Sequence, residues 1–161
     1  MTCLKVSNLS YSIADKTLLR NISFTVEQGE TIAIVGPNGA GKTTLLKLIL
    51  SIYKAQRGSI ALFDKDSTSL SSVERARLTS YVPQREEIAP SFTVSEFVEM
   101  SLYSQGMRFS ASPESRRKVT DALESVGMNE FSQRLIPTLS GGEWQKIALA
   151  RALVRNPQVL V

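Results

Sequence analysis

Gly36-Pro37-Asn38-Gly39-Ala40-Gly41-Lys42-Thr43 is the stretch on which the reading of this chain turns. It fits the spacing G-x-x-x-x-G-K-[ST]. Before it stands Thr31-Ile32-Ala33-Ile34-Val35, a short run without a polar face, which suits a strand buried on both sides. After it, Leu45, Leu46, Leu48, Ile49, Leu50 and Ile52 predict a helix from Lys42 to about Ser51, apolar on nearly every side. At average residue usage the pattern arises by accident in roughly one chain in two hundred of this length, before that context is counted. Glycines let consecutive backbone N–H groups curl inward around an anion, and the helix start adds its dipole and unpaired donors. Lys42 supplies a mobile cation for β and γ phosphates, the Thr43 hydroxyl suits Mg²⁺, and Thr44 is placed as a neighbouring phosphate contact.

Composition narrows the chemistry. The 161 residues hold 19 Lys and Arg, 15 Asp and Glu, one Cys and no His, a length that suits one domain with a real core. A single Cys3 leaves no disulfide framework, and the lack of His excludes His-ligated zinc, Ser-His-Asp triads and His acid–base chemistry in these residues. The surplus of +4 is small and scattered, so no nucleic-acid partner is expected. No window approaches the ~18 uninterrupted apolar residues of a membrane span, and the first residues lack a signal-peptide pattern. A cytoplasmic location is the expectation.

Working outward, Leu4, Val6, Leu9, Tyr11 and Ile13, then Leu18, Leu19, Ile22, Phe24 and Val26, read as strands, with a turn at 27–30. Residues 59–63 read as a strand, 71–78 as a short helix, and Tyr81-Val82-Pro83 as a strand stopped by its proline. Thr93 and Glu96 have capping-box spacing, Ser112-Pro113 opens another helix stopped by Gly127, and a third helix runs from Glu143 to about Arg155. The chain then closes with the apolar run 158–161. These elements predict an α/β fold with three parts: residues 1–87, a helical insertion at 88–138, and 139–161.

A second signal is Leu139-Ser140-Gly141-Gly142-Glu143. Ser140 and Glu143 alone would make a capping box. Two adjacent glycines are unnecessary for capping and cost entropy, which makes sense where the backbone must approach something closely, such as a second phosphate.

Together, a P-loop and Leu-Ser-Gly-Gly-Glu with Ser140 98 residues after Lys42 resemble the nucleotide-binding subunit of an ABC transporter. The resemblance covers all 161 residues and implies a P-loop NTPase with an ABC-type N-terminal β-subdomain and a helical subdomain, the C-terminal part of the core missing. It implies ATP and Mg²⁺ as cofactors. Tyr11, otherwise an ordinary strand aromatic, lies 25 residues before Gly36, where the family places an adenine-stacking ring. Gln84, otherwise a polar residue opening a loop, matches the family's Q-loop glutamine, which reaches Mg²⁺ and the hydrolytic water. With Lys42 it is the catalytic candidate. Two copies are implied to sandwich two ATPs, with Ser140, Gly141, Gly142 and Glu143 of one closing on the γ-phosphate held by the other. The family more often has Gln at the position of Glu143.

Further partners implied are transmembrane permease subunits, with the chain peripheral on the inner membrane face. Glu86, Glu87 and Phe92 are candidate contacts, and residues 87–96 resemble importers of metals, metal chelates and cobalamin. The family's next elements, a Mg²⁺-associated Asp, a catalytic Glu and a switch His, lie beyond Val161. The expectation is therefore a truncated cassette that binds nucleotide without turning it over, leaving 31–35 and the helix after Leu45 partly uncovered. A small P-loop kinase is disfavoured by the thirty residues before the loop and by Leu-Ser-Gly-Gly. A soluble ABC protein acting on ribosomes or DNA, or a non-enzymatic remnant, stays open.

Overall fold

The computed structural model describes residues 1–84, 92–105 and 112–161. They form two compact units, 1–75 and 76–161.

In the first unit, β1 (Thr2–Ile13), β2 (Lys16–Glu27), β3 (Arg57–Leu62) and β4 (Lys65–Asp66) make an antiparallel sheet in the order β2-β1-β3-β4. Alternation along β1 changes parity between Val6 and Leu9, both buried, because the strand carries an extra residue there. Asn8 occupies it with a left-handed φ of 50°, and its N–H donates to the Ser23 hydroxyl at 2.8 Å. A second irregularity answers it on β2, where Asn21 (φ 52°) donates its N–H to the Ser10 hydroxyl at 2.9 Å. Each bulge therefore has its displaced amide satisfied by a serine of the opposite strand. The face that begins with Leu4 and Val6 consequently continues through Leu9 and Tyr11.

Gly58 of β3 lies against the first bulge. Its φ is +84°, and a Cβ there would stand 2.4 Å from the Ser7 carbonyl oxygen and 2.5 Å from that of Asn8. Helix α1 (Lys42–Ile49) buries Leu45, Leu48 and Ile49 but not all sides, since Ile52 just beyond it is 60% exposed.

Two strand expectations need correction. Residues 31–35 form no strand, and among the described residues none pairs with them. Val35 is 90% exposed. Apolar composition suits such a strand, but only hydrogen-bonded neighbours create it. The uncovered apolar surface expected there, at Ile32, Ile34, Val35 and Ile52, is present. Residues 81–83 are likewise not a strand; the ladder falls on β5 (Thr79–Ser80), which pairs in parallel with β6 (Val159–Leu160).

The second unit begins within α2 (Ser72–Leu78) and is otherwise mainly helical, with α3 (Val94–Glu99), a 3₁₀ continuation to residue 105, α4 (Pro113–Ser125) and α5 (Gly141–Leu153). The caps read from sequence form as expected. Thr93 and Glu96 make a reciprocal capping box, Ser112 caps α4 with Pro113 at its start, and Gly127 ends it at φ +68°. Val94, Phe97 and Val98 of α3, Val119 and Leu123 of α4, and Ile147 and Ala150 of α5 share one buried cluster. Phe92 is half-buried and packs against that cluster. Glu86 and Glu87 lie outside the described residues.

Candidate nucleotide site

The glycine-rich loop, in the first unit, is shaped by two left-handed residues, Gly39 (φ 84°) and Gly41 (φ 90°). The Ala40 N–H donates to the Pro37 carbonyl at 3.2 Å, tightening the turn. Gly41 backs onto β2: a Cβ would meet the Leu18 carbonyl oxygen and Leu19 Cδ2, each at 3.0 Å. Glycine is needed there for both conformation and space.

From Gly41 the chain enters α1 with no side-chain cap, unlike α3, α4 and α5, which start at Thr93, Ser112 and Ser140. The first N–H groups of α1, at Lys42, Thr43 and Thr44, are orphan donors of a helix start. Lys42 folds back over the loop, its Nζ donating to the carbonyls of Gly36 at 2.6 Å and Pro37 at 2.8 Å. Residues 36–40 and Thr43 are exposed, while Gly41, Lys42 and Thr44 are half-buried. Loop, cation, hydroxyl and bare helix start thus come together at one exposed place, a geometry suited to a polyphosphate.

Tyr11 is half-buried on β1 and pairs with Leu19, the β2 residue on which Gly41 rests. Its ring stacks on Tyr53, with centroids 5.8 Å apart and planes 6° from parallel. Lys47 of α1 stands 5.2 Å from the Tyr53 centroid and 3.5 Å from its hydroxyl. Gln56 donates to the Ser12 carbonyl at 2.9 Å and accepts from its N–H at 2.8 Å, as a neighbouring strand would. Sequence reasoning missed Lys47, Tyr53 and Gln56, because their partners lie along no local periodicity.

In the second unit, Gln84 is exposed in a bend after Pro83. Ser140 caps α5: its hydroxyl accepts from the Glu143 N–H at 3.4 Å, and its own N–H donates to the Glu143 carboxylate at 2.6 Å. The capping-box explanation of Ser140 and Glu143 is therefore realised, but it does not extend to the two glycines between them. A Cβ on Gly141 or Gly142 would meet nothing within 4 Å, and neither glycine has a positive φ. No contact among the described residues calls for glycine at these exposed positions.

Glu143 also pairs with Arg134 at 3.3 Å, a partner that sequence alone did not suggest. The Ser140 amide foremost, then its hydroxyl and the Arg134 charge, hold the Glu143 carboxyl below its ordinary pKa. Because the folded-state pKa is depressed, this stabilisation is present above the unfolded value near 4.5 and is lost as pH falls through the folded one. Glu96 is lowered by the Thr93 amide in the same sense. Melting temperature should thus fall as pH drops below about 4.5, and Glu143→Gln should make that fall shallower. An identical slope in the variant would contradict this account.

Among the described residues no helix is long and apolar enough to cross a membrane. The chain is 36% identical over 159 residues to the zinc uptake system ATP-binding protein ZurA of Listeria innocua, covering 98% of this chain and 62% of that protein. It is 40% identical over 156 residues to the hemin import ATP-binding protein HmuV of Rhodopseudomonas palustris, covering 96% of this chain and 56% of that one. The chain thus spans little more than half the length of these curated relatives. A nucleotide-free ATP-binding cassette from an ABC transporter superposes with a TM-score of 0.87 at 26% identity, over 99% of this chain and 68% of that one. A dimeric cassette in a post-hydrolysis state, bound to ADP and Pi, gives 0.81 at 28%, over 98% and 72%. The fold is that of an ABC-type P-loop ATPase domain. Residues 19–161 match the ABC transporter family, and the chain belongs to it.

Proposed function

We infer that this chain is the ATP-binding part of an ABC transporter ATPase, coupling ATP binding and hydrolysis to transport. The observation that carries the inference is the start of α1, where left-handed Gly41 opens a helix without a side-chain cap and the Lys42 ammonium rests on the Gly36 and Pro37 carbonyls. In this reading residues 36–44 hold the triphosphate, and Tyr11 stacks on the adenine. Gln84 would be the residue that helps hold the metal and orient the attacking water. The Thr43 hydroxyl, a hard oxygen donor exposed at the start of α1, is the side chain that would hold Mg²⁺ here. Bound there, the ion would neutralise charge developing on the phosphates.

Ser140, Gly141, Gly142 and the capping Glu143 would meet the γ-phosphate held by a second nucleotide-binding subunit. The open surroundings of both glycines support close approach of that ligand to the backbone. Residues 88–138 are the proposed helical subdomain facing a transmembrane permease, which would keep the chain peripheral to the membrane on its cytoplasmic side. The names of the zinc and hemin relatives support an importer of metals or metal chelates.

The test is equilibrium binding of ATP with Mg²⁺. Saturable binding that inorganic tripolyphosphate competes away, and adenosine alone does not, is the expected outcome. Absence of saturable binding by a folded chain would overturn the assignment.

A further inference from the structure

Tyr53 sits on the connection from α1 to β3, with Lys47 of α1 over its ring and Tyr11 of β1 stacked beside it. Three residues on, Gln56 fastens to both backbone polar groups of Ser12, next to Tyr11. The connection therefore holds the Tyr11 position twice, once through the ring and once through the main chain. All of these residues belong to the unit that carries the phosphate loop. An aromatic ring serves as a base platform only if its plane is fixed before the base arrives, since ordering a loose ring at that moment would subtract from the stacking gain. A stacked tyrosine nearly parallel to it, itself held by an ammonium from the helix that begins at the phosphate loop, supplies that fixing.

We propose that Tyr53 is a positioning residue for nucleobase recognition: held by Lys47, it sets the plane of Tyr11 and so joins the base platform to the phosphate-binding helix. This rests on the reading of Tyr11 and residues 36–44 as a nucleotide site. Tyr53 touches no phosphate in this arrangement, so its effect belongs to ligands that carry a base. The Tyr53 hydroxyl also accepts from the Lys47 ammonium, at 3.5 Å, so Tyr53→Phe keeps the stack and the ring while losing only that contact.

The experiment measures dissociation constants for ATP and for inorganic tripolyphosphate in the whole 161-residue chain and in Tyr53→Ala, Tyr53→Phe, Tyr11→Ala and Lys42→Ala, with circular dichroism to check each fold. Tyr53→Ala should weaken ATP about five- to tenfold and leave tripolyphosphate within about twofold, while Tyr53→Phe stays close to the parent for both. A Tyr53→Ala chain that loses both ligands in equal proportion, or neither, overturns the proposal, the first outcome marking a purely structural tyrosine. If Tyr11→Ala leaves the ratio of the two affinities unchanged, the stacking assignment fails and the proposal fails with it. If Lys42→Ala leaves tripolyphosphate binding intact, the phosphate-site reading itself has failed, an outcome separate from the Tyr53 ratios.

Discussion

Lys42→Ala lowers the affinity for ATP by about 30- to 100-fold, the largest effect expected of any side chain at the loop. The ammonium is already satisfied before a ligand arrives, by the Gly36 and Pro37 carbonyls. Its contribution to binding is therefore a difference between two sets of partners. The ammonium's bonds to carbonyls are already charge-assisted, and a phosphate oxygen adds the attraction of opposite charges, about 1 to 4 kcal/mol at 4 Å depending on the surrounding dielectric. Exchanging two carbonyls for two phosphate oxygens gains about 2 to 2.7 kcal/mol, which converts to the stated range. Alanine forfeits that gain while leaving Gly39 and Gly41 to shape the loop. Titration calorimetry on parent and variant decides the matter, and a loss below about threefold would remove Lys42 from the site.

The second large effect falls on stability. Gly58→Ala should cost about 3 to 5 kcal/mol, combining the strain of a left-handed alanine with the displacement of two backbone oxygens. Those oxygens belong to Ser7 and Asn8 at the β1 bulge, and neither can retreat as a flexible side chain would. Moving them undoes the extra residue that brings Leu9 and Tyr11 onto the face of Leu4 and Val6. Gly127→Ala is the matched control, since φ there is also positive, +68°, but a Cβ would meet nothing within 4 Å. That change should cost only about 1 to 2 kcal/mol. Urea midpoints at unchanged m-value report both numbers, and equal costs would show that the close approach to β1 is unimportant.

What could be read from the sequence was local. The glycine loop, the boxes Thr93–Glu96 and Ser140–Glu143 and the Ser112-Pro113 helix start each span a few residues, and their chemistry closes within that span. The lost readings were those that depend on distant partners. Residues 31–35 have the composition of a buried strand, yet pairing makes a strand and none of the described residues supplies it. The brace at Tyr53 and Gln56 reaches back more than forty residues to Tyr11 and Ser12, beyond any periodicity. The bulges left a faint trace, the three-residue steps from Val6 to Leu9 and from Leu19 to Ile22, each enclosing an asparagine. In the candidate site the left-handed glycines and the uncapped helix start were foreshadowed by the loop's residue types, because anion chemistry selects residue types. The positions of their supports were not, because packing selects only shape.

The bare beginning of α1 has one further consequence. Because position 41 has room and backbone conformation for glycine alone, this helix goes without the side-chain cap that a serine or aspartate supplies elsewhere, typically about 1 kcal/mol. By forgoing it, the chain leaves part of its folding free energy to be supplied from solution. Whatever anion settles on those amides then acts as a missing piece of the helix, and the resistance of this unit to unfolding becomes a function of ligand concentration by mass action. On the proposed reading of the loop, the stability of this unit would rise with the concentration of polyphosphate.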